Sequence, residues 1–552
     1  MHERLVEDWL DSANERSYQA PFCQMLSAQG HRIVHSSRHG AMELGKDIIT
    51  VDADGTPCAF QLKGNPGGRL TLSEFRQIEA QLLDLVNLPL EHPGIPSGPH
   101  RSFLVTNGLV EEETIAAINA LNRGLERYGF PDRKLLIIQR GDLLDMAKNL
   151  GYSLWPAELK QLRLILELLV DDGGRPFPIQ KLHNLLIELL RLDENSRLVM
   201  RSSELRRRIS SAAILVSVSL KNFQAKENYY AIVTAWVLFC VYAVAACERF
   251  QLSFARNAQS AVELGLTTIR DSMISLSNEV LERHVLVEGD PSVDAAVYRA
   301  RYTLLLALMS ILWFWCQENG WPDTLDKKKL KTFLSSGVKN LYLWGEAAVP
   351  QLLYYYWFLR ETDPRSDVEG LLVQILSGLI SKDSSGDVKG LPSPYYDFED
   401  VSRHILAPIL GRSQDPLRDD TTGIFSYYAQ SLMHLLVRTG RKTTCKSIWP
   451  DVTRIQFVSF IPNSTWHYCL WRTEKGEYLE EQPVFTKQWV ELVDEARRID
   501  CSESPIVLKQ YKYLHALFLM VAPYRGTPAV IRSLARRFDS TWFIAPPIGE
   551  GY

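Results

Sequence analysis

Asp47, Gln61 and Lys63 are residue types that together can handle a phosphate ester. A carboxylate and a carboxamide oxygen are hard donors suited to Mg²⁺. A lysine beside them orients a water and steadies negative charge building up on a phosphate. The chemistry requires the three to converge, and the residues between them supply the means. Ile48-Ile49-Thr50-Val51 is the β-rich run a strand wants. Asp52-Ala53-Asp54-Gly55 reads as a short hairpin loop with Gly in the left-handed position, and Pro57 to Lys63 returns as the second strand. A three-residue loop centred on Asp54 opposes position 47 to position 61, because the two numbers sum to twice 54. Opposed residues of an antiparallel pair share a face with Cβ atoms about 4.5–5.5 Å apart, and Lys63, two residues on, shares it too. A one-residue bulge would break that register. Taken alone, the D…QxK spacing is also what an ordinary hairpin with a surface Asp and Lys presents.

The elements around the hairpin decide between these readings. Tyr18, Phe22, Met25 and Leu26 recur at helical spacing over residues 14–29, with Pro21 as a kink or a later start and Gly30 as the stop. Arg32-Ile33-Val34-His35 is a short strand. Residues 71–86 form an amphipathic helix with Leu72, Phe75, Ile78, Leu82 and Leu85 on one side. Ser102-Phe103-Leu104-Val105-Thr106 is a strand, and residues 111–128 a helix with acidic residues in its first turn, as the dipole prefers. Lys134 to Ile138 is a strand, and Gly141-Asp142-Leu143-Leu144 opens a short helix.

This order, α-β-β-β-α-β-α-β, together with Asp47…Gln61-Leu62-Lys63, resembles the PD-(D/E)xK nucleases. Within them it is similar to the Mrr-like restriction-endonuclease branch, where the acidic residue of the second motif is often Gln. The resemblance covers about residues 10–150 and includes the Leu136-Ile137-Ile138…Asp142-Leu143-Leu144 ending. It implies an α/β N-terminal restriction-endonuclease-like domain, a mixed sheet flanked by helices, over residues 1–150. It implies a Mg²⁺-dependent endonuclease, with Mn²⁺ able to substitute, that hydrolyses phosphodiester bonds of double-stranded DNA. Asp47 and Gln61 would hold the metal, and Lys63 would position the water or steady the charge. Members of the fold often carry an acidic residue on the first helix that reaches the metal. Glu15 and Gln19 are the nearest positions, and neither matches cleanly. Glu43, in the turn before the Asp47 strand, is a further candidate ligand, whereas Lys46 reads as an exposed loop lysine.

The rest of the chain has another character. A length of 552 residues suggests two or more domains, and the net charge of −4 excludes a global basic field, so DNA contact must be local. The eight cysteines show no zinc spacing, which fits a reducing cytoplasm. From Pro156 to about Phe460 helical periodicity dominates, so residues 151–552 are expected to be a large mainly α-helical domain that senses a trigger or binds a partner, with a sub-boundary near 450. Phe457–Phe460 and Ile506–Leu508 read as late strands. Arg197, Arg201, Arg206, Arg207 and Arg208 form the strongest basic run, read as a solvated helix face before a phosphate site. Aromatic runs such as Tyr354-Tyr355-Tyr356-Trp357-Phe358 are expected to pack helices before they stack bases. Residues 229–247 carry no charge and approach the ~20 apolar residues that span a bilayer; a buried core helix is the favoured reading and a membrane anchor the rival. A nuclease joined to such a domain looks like the effector of a bacterial antiphage defence system. Its rivals are an inactive nuclease-like nucleic-acid-binding or scaffold protein and a membrane-anchored effector. Homo-oligomers fit any of the three.

Overall fold

The turn after Val51 sets the geometry of the sheet. In the computed structural model, Asp52 donates its N–H to Thr56 O at 2.9 Å. Its Oδ1 accepts from Asp54 N and Thr56 N at 3.0 and 2.8 Å, and Gly55 takes φ +86°. The loop therefore closes on Ala53–Gly55, as the sequence suggests. The flanking strands β2 (Ile48–Val51) and β3 (Pro57–Lys63) pair antiparallel from Val51↔Pro57 to Ile48↔Phe60. The description covers all residues except 1, 37–45, 91–94, 97, 150–158, 175, 194–198, 284–290, 364–367, 382–424, 474, 499–503 and 543–552.

β1 (Arg32–Ser36) adds antiparallel to β2, and β5 (Arg101–Thr106) and β7 (Leu135–Ile138) add parallel to β3, giving the order β1-β2-β3-β5-β7. The mixed five-stranded sheet is the expected one. Two short strands, β4 (Arg69–Leu70) and β6 (Leu109–Val110), pair beside it and have no counterpart in the sequence reading. Helices cover both faces. On one, Phe22 of α2 (Glu15–Ala28) meets Phe60 edge-on at 5.5 Å, and Phe60 stacks on Phe103 at 4.8 Å. On the other, α3 (Leu72–Asn87) and α4 (Glu112–Arg127) bury Phe75, Leu82, Leu85, Ile118 and Leu125 against Ala59, Leu104 and Leu135. α3 starts sharply because Thr71 and Glu74 form a reciprocal capping box. Preceding these elements is α1 (His2–Leu10), and closing them is α5 (Arg140–Asn149). The Arg140 guanidinium grips Asp11 at 2.6 and 2.8 Å, holding Asp11's carboxyl below its usual range.

The chain forms two compact units, residues 1–268 and 269–552. The α/β elements thus end with α5, near the expected residue 150, but the compact unit containing them runs on to Thr268. Its later helices are α6 (Leu159–Leu169), α7 (Ile179–Leu189), α8 (Ser202–Ser219), α9 (Lys221–Ala225), α10 (Tyr229–Phe250) and α11 (Phe254–Asn257), and the division falls inside α12 (Gln259–Arg283). α8 packs on α2 and buries every residue from Ile209 to Ser219. The apolar face expected of a separate domain here covers the helix that carries Glu15.

The second unit is mainly helical. A small sheet of β8 (Phe425–Ser426), β9 (Gln456–Pro462) and β10 (Gly476–Glu481) contains the expected 457–460 strand. Ile506–Leu508 is not a strand but the start of helix Ile506–Gln510; three apolar residues carry too little periodicity to tell the two apart. Tyr354 to Phe358 are all buried in helix Val349–Thr362, where Trp357 stacks on Phe538 at 5.8 Å. These rings pack helices.

Candidate active site

Extending the Ile48↔Phe60 register by one residue opposes Asp47 to Gln61. The two do meet, through side chains rather than as a ladder pair. Asp47 N–H turns to Phe60 O at 2.9 Å, and its Oδ2 accepts from Gln61 Nε2 at 2.6 Å and from Leu62 N–H at 2.7 Å. Both side chains are buried, 6% and 4% exposed. A buried carboxylate is costly unless such donors compensate it, so the two bonds fix where Asp47 points. The far atom of the same carboxamide, Gln61 Oε1, is buried without a hydrogen-bond partner. An orphaned acceptor beside a carboxylate is a group positioned for a donor or a cation.

Lys63 follows Gln61 on the same face by strand alternation. It is half-buried. Its carbonyl accepts the Tyr18 hydroxyl at 2.9 Å, which also lies 3.3 Å from Val105 O. Burial pushes the Tyr18 phenol well above its usual range, and the charges of Glu15 and Asp47 push it further. Tyr18 therefore stays a proton donor, and both carboxylates lie close enough for their charge to be felt at it. Glu15 arrives with the first turn of α2. Its backbone packs on Gly64, where an added Cβ would lie 2.8 Å from Glu15 N. The chain can approach this closely because residue 64 has no side chain. Gly64→Ala is accordingly expected to cost about 1–3 kcal/mol through overpacking, read as a fall in Tm on thermal denaturation.

The remaining candidates separate. Gln19 Nε2 donates to Ser36 Oγ at 3.0 Å, on β1. Lys46 is not an exposed loop lysine: it is 7% exposed and its Nζ donates to Pro89 O at 3.4 Å. Its place next to the buried strand entry, rather than its loop context, decides its burial. Glu43 lies outside the described residues. Among the described residues no group of three or more His, Cys, Asp and Glu is disposed to hold a metal, so a cation here would depend on the Gln61 carboxamide as well as on carboxylates.

The sequence reading missed Tyr18 as a polar group, treating it as one of an apolar stripe. The signal was available: a Tyr at a core position carries a hydroxyl that must find a partner. It also missed Asn65, Thr106 and Asn107, which knit the strand ends together. Thr106 Oγ1 donates to Asn65 Oδ1 at 3.0 Å, and Asn65 N donates to Asn107 Oδ1 at 2.8 Å. Comparison with family models, curated proteins and solved structures gives no significant match. The functional reading therefore rests on the geometry.

Proposed function

We propose that the α/β elements within residues 1–150 form a restriction-endonuclease-like fold that hydrolyses phosphodiester bonds of double-stranded DNA with a divalent cation, Mg²⁺ or Mn²⁺. The observation that carries this is the buried Asp47–Gln61 pair with its orphaned Oε1, two residues before Lys63, at the ends of parallel strands β3 and β5. The donor set fits the cation: Asp47 and Gln61 Oε1 are hard oxygens, with Glu15 in the first turn of α2 as the further carboxylate. A bound cation would supply an activated water and neutralise phosphate charge. The chain's own groups do the rest. Asp47 is held by Leu62 N–H and the Gln61 amide, so it needs no reorganisation to receive positive charge. Lys63 is half-buried two residues beyond Gln61, and its ammonium would meet charge developing on the phosphate.

The sheet supports the family resemblance in its element order, its mixed strand directions and the flanking α2 and α3. The test offers the full chain a supercoiled plasmid and a duplex-free RNA with Mg²⁺. Nicking and linearisation of the plasmid is expected; cleavage of the RNA alone would move the substrate class.

A soluble effector of antiphage defence is the cellular reading we favour. Two helices, Tyr229–Phe250 and Tyr298–Asn319, are long and apolar enough to cross a membrane by length and composition. Of the first, 94% of the apolar window is buried, which supports a core helix over a lipid-facing one. The full chain is expected to stay in the supernatant on ultracentrifugation without detergent; recovery in the membrane pellet until detergent is added would favour an anchor.

A further inference from the structure

Asn107 joins three segments that the proposed site needs in fixed relation. It is fully buried. Its Nδ2 donates to Leu10 O at 2.8 Å and to Ala13 O at 2.7 Å, and its Oδ1 accepts from Asn65 N at 2.8 Å. Both amide hydrogens and the carbonyl oxygen are thus used. Leu10, whose carbonyl takes the first bond, is the last residue of α1, and Ala13, whose carbonyl takes the second, lies in the link to α2, two residues before Glu15. The N–H belongs to the residue two beyond Lys63. Between these anchors Glu15 N and Gly64 are in close contact, and Asn107 itself follows the last residue of β5, whose Thr106 pairs with Lys63.

We infer that Asn107 is a positioning residue that sets the Glu15 turn against the Lys63 end of β3, and so fixes the second carboxylate relative to Asp47. This rests on the metal-site reading above. The role demands a carboxamide. A carboxylate at 107 would face two carbonyl oxygens with no hydrogen to give, and an aliphatic side chain would leave Leu10 O, Ala13 O and Asn65 N unmatched. Gly108, next in the chain, is equally constrained: an added Cβ would lie 2.7 Å from Asn65 O. The joint is therefore rigid on both sides of Asn107. Asn107 bonds to Leu10, Ala13 and Asn65, so its influence on Asp47 and Gln61 runs through Glu15 and the 64–65 backbone.

The test is a double-mutant cycle on the full-length protein with Mn²⁺ affinity, measured by calorimetry, as the readout. Glu15→Gln and Asn107→Asp should each weaken binding by about tenfold, the scale on which groups supporting metal ligands act. The double variant should bind no more weakly than Asn107→Asp alone, because the carboxylate has already been displaced. Fully additive losses would mean that Asn107 acts as general scaffolding, and would overturn the inference, as would unchanged affinity in Glu15→Gln. If Asn107→Asp does not fold, Asn107→Ser, which keeps one donor in a smaller side chain, takes its place in the cycle. Asp47→Ala separates the two levels. If it leaves Mn²⁺ binding intact, the metal-site reading fails and this inference with it. If it abolishes binding while the cycle is additive, only the role of Asn107 fails.

Discussion

Lys63→Ala is expected to lower plasmid cleavage by on the order of 10²–10³ with little change in Tm. Its side chain is half-buried, so the fold loses little when it is shortened. The loss falls on charge stabilisation. Asp47→Ala should be at least as severe for activity but different for stability. Removing the carboxylate leaves Leu62 N–H and Gln61 Nε2 without their acceptor, and each buried unmatched group costs about 1–3 kcal/mol. Asp47→Asn, which keeps an acceptor for Leu62 N–H, should recover part of the Tm and none of the rate. A gel time course beside thermal denaturation reads both. Wild-type cleavage in Lys63→Ala would remove the catalytic assignment.

Gln61→Glu separates two roles for the carboxamide. In the structure its NH₂ donates to Asp47 Oδ2 at 2.6 Å. A glutamate there sets carboxylate against carboxylate, and two such groups cannot both ionise without a cation between them. In EDTA the pair would hold a proton more tightly folded than unfolded, so stability falls as pH rises through the raised pKa. Mg²⁺ should reverse this: if Gln61 Oε1 is a ligand, the added charge tightens binding, Tm recovers on adding Mg²⁺, and activity survives in some measure. If the NH₂ donation is what matters, the carboxylate cannot replace it, and Mg²⁺ restores neither Tm nor cleavage. Thermal denaturation across pH, with and without Mg²⁺, distinguishes the outcomes before any substrate is added.

The hairpin was legible in the sequence because everything that sets it is local. Asp52 and Gly55 specify the loop, the loop specifies the sum of paired residue numbers, and the sum places 47 beside 61. What local reasoning could not supply was how Asp47 leaves the ladder: its N–H and its carboxylate bond to different residues of β3, so the pair forms through a side chain. The strands β5 and β7 and helices α3 and α4 were legible from periodicity. The joints between them were not. Tyr18, Asn65 and Asn107 reach partners 42 to 97 residues away, and no spacing in the chain announces such bonds. The composition shift after residue 150 marks the end of the α/β elements and not of the compact unit, because apolar α8 buries itself on α2. Lys46 was misread for the same reason: its acceptor, Pro89 O, is 43 residues on.

The central claim is that Asp47, Gln61 and Lys63 form a cation-dependent phosphodiesterase site. The most direct measurement compares the wild-type full chain with Asp47→Ala, purified side by side, on supercoiled plasmid in Mg²⁺ and in EDTA. The structure predicts nicked and linear products for the wild type in Mg²⁺ only, and none for the variant under either condition. Equal cleavage by Asp47→Ala, or wild-type cleavage that persists in EDTA, would contradict it.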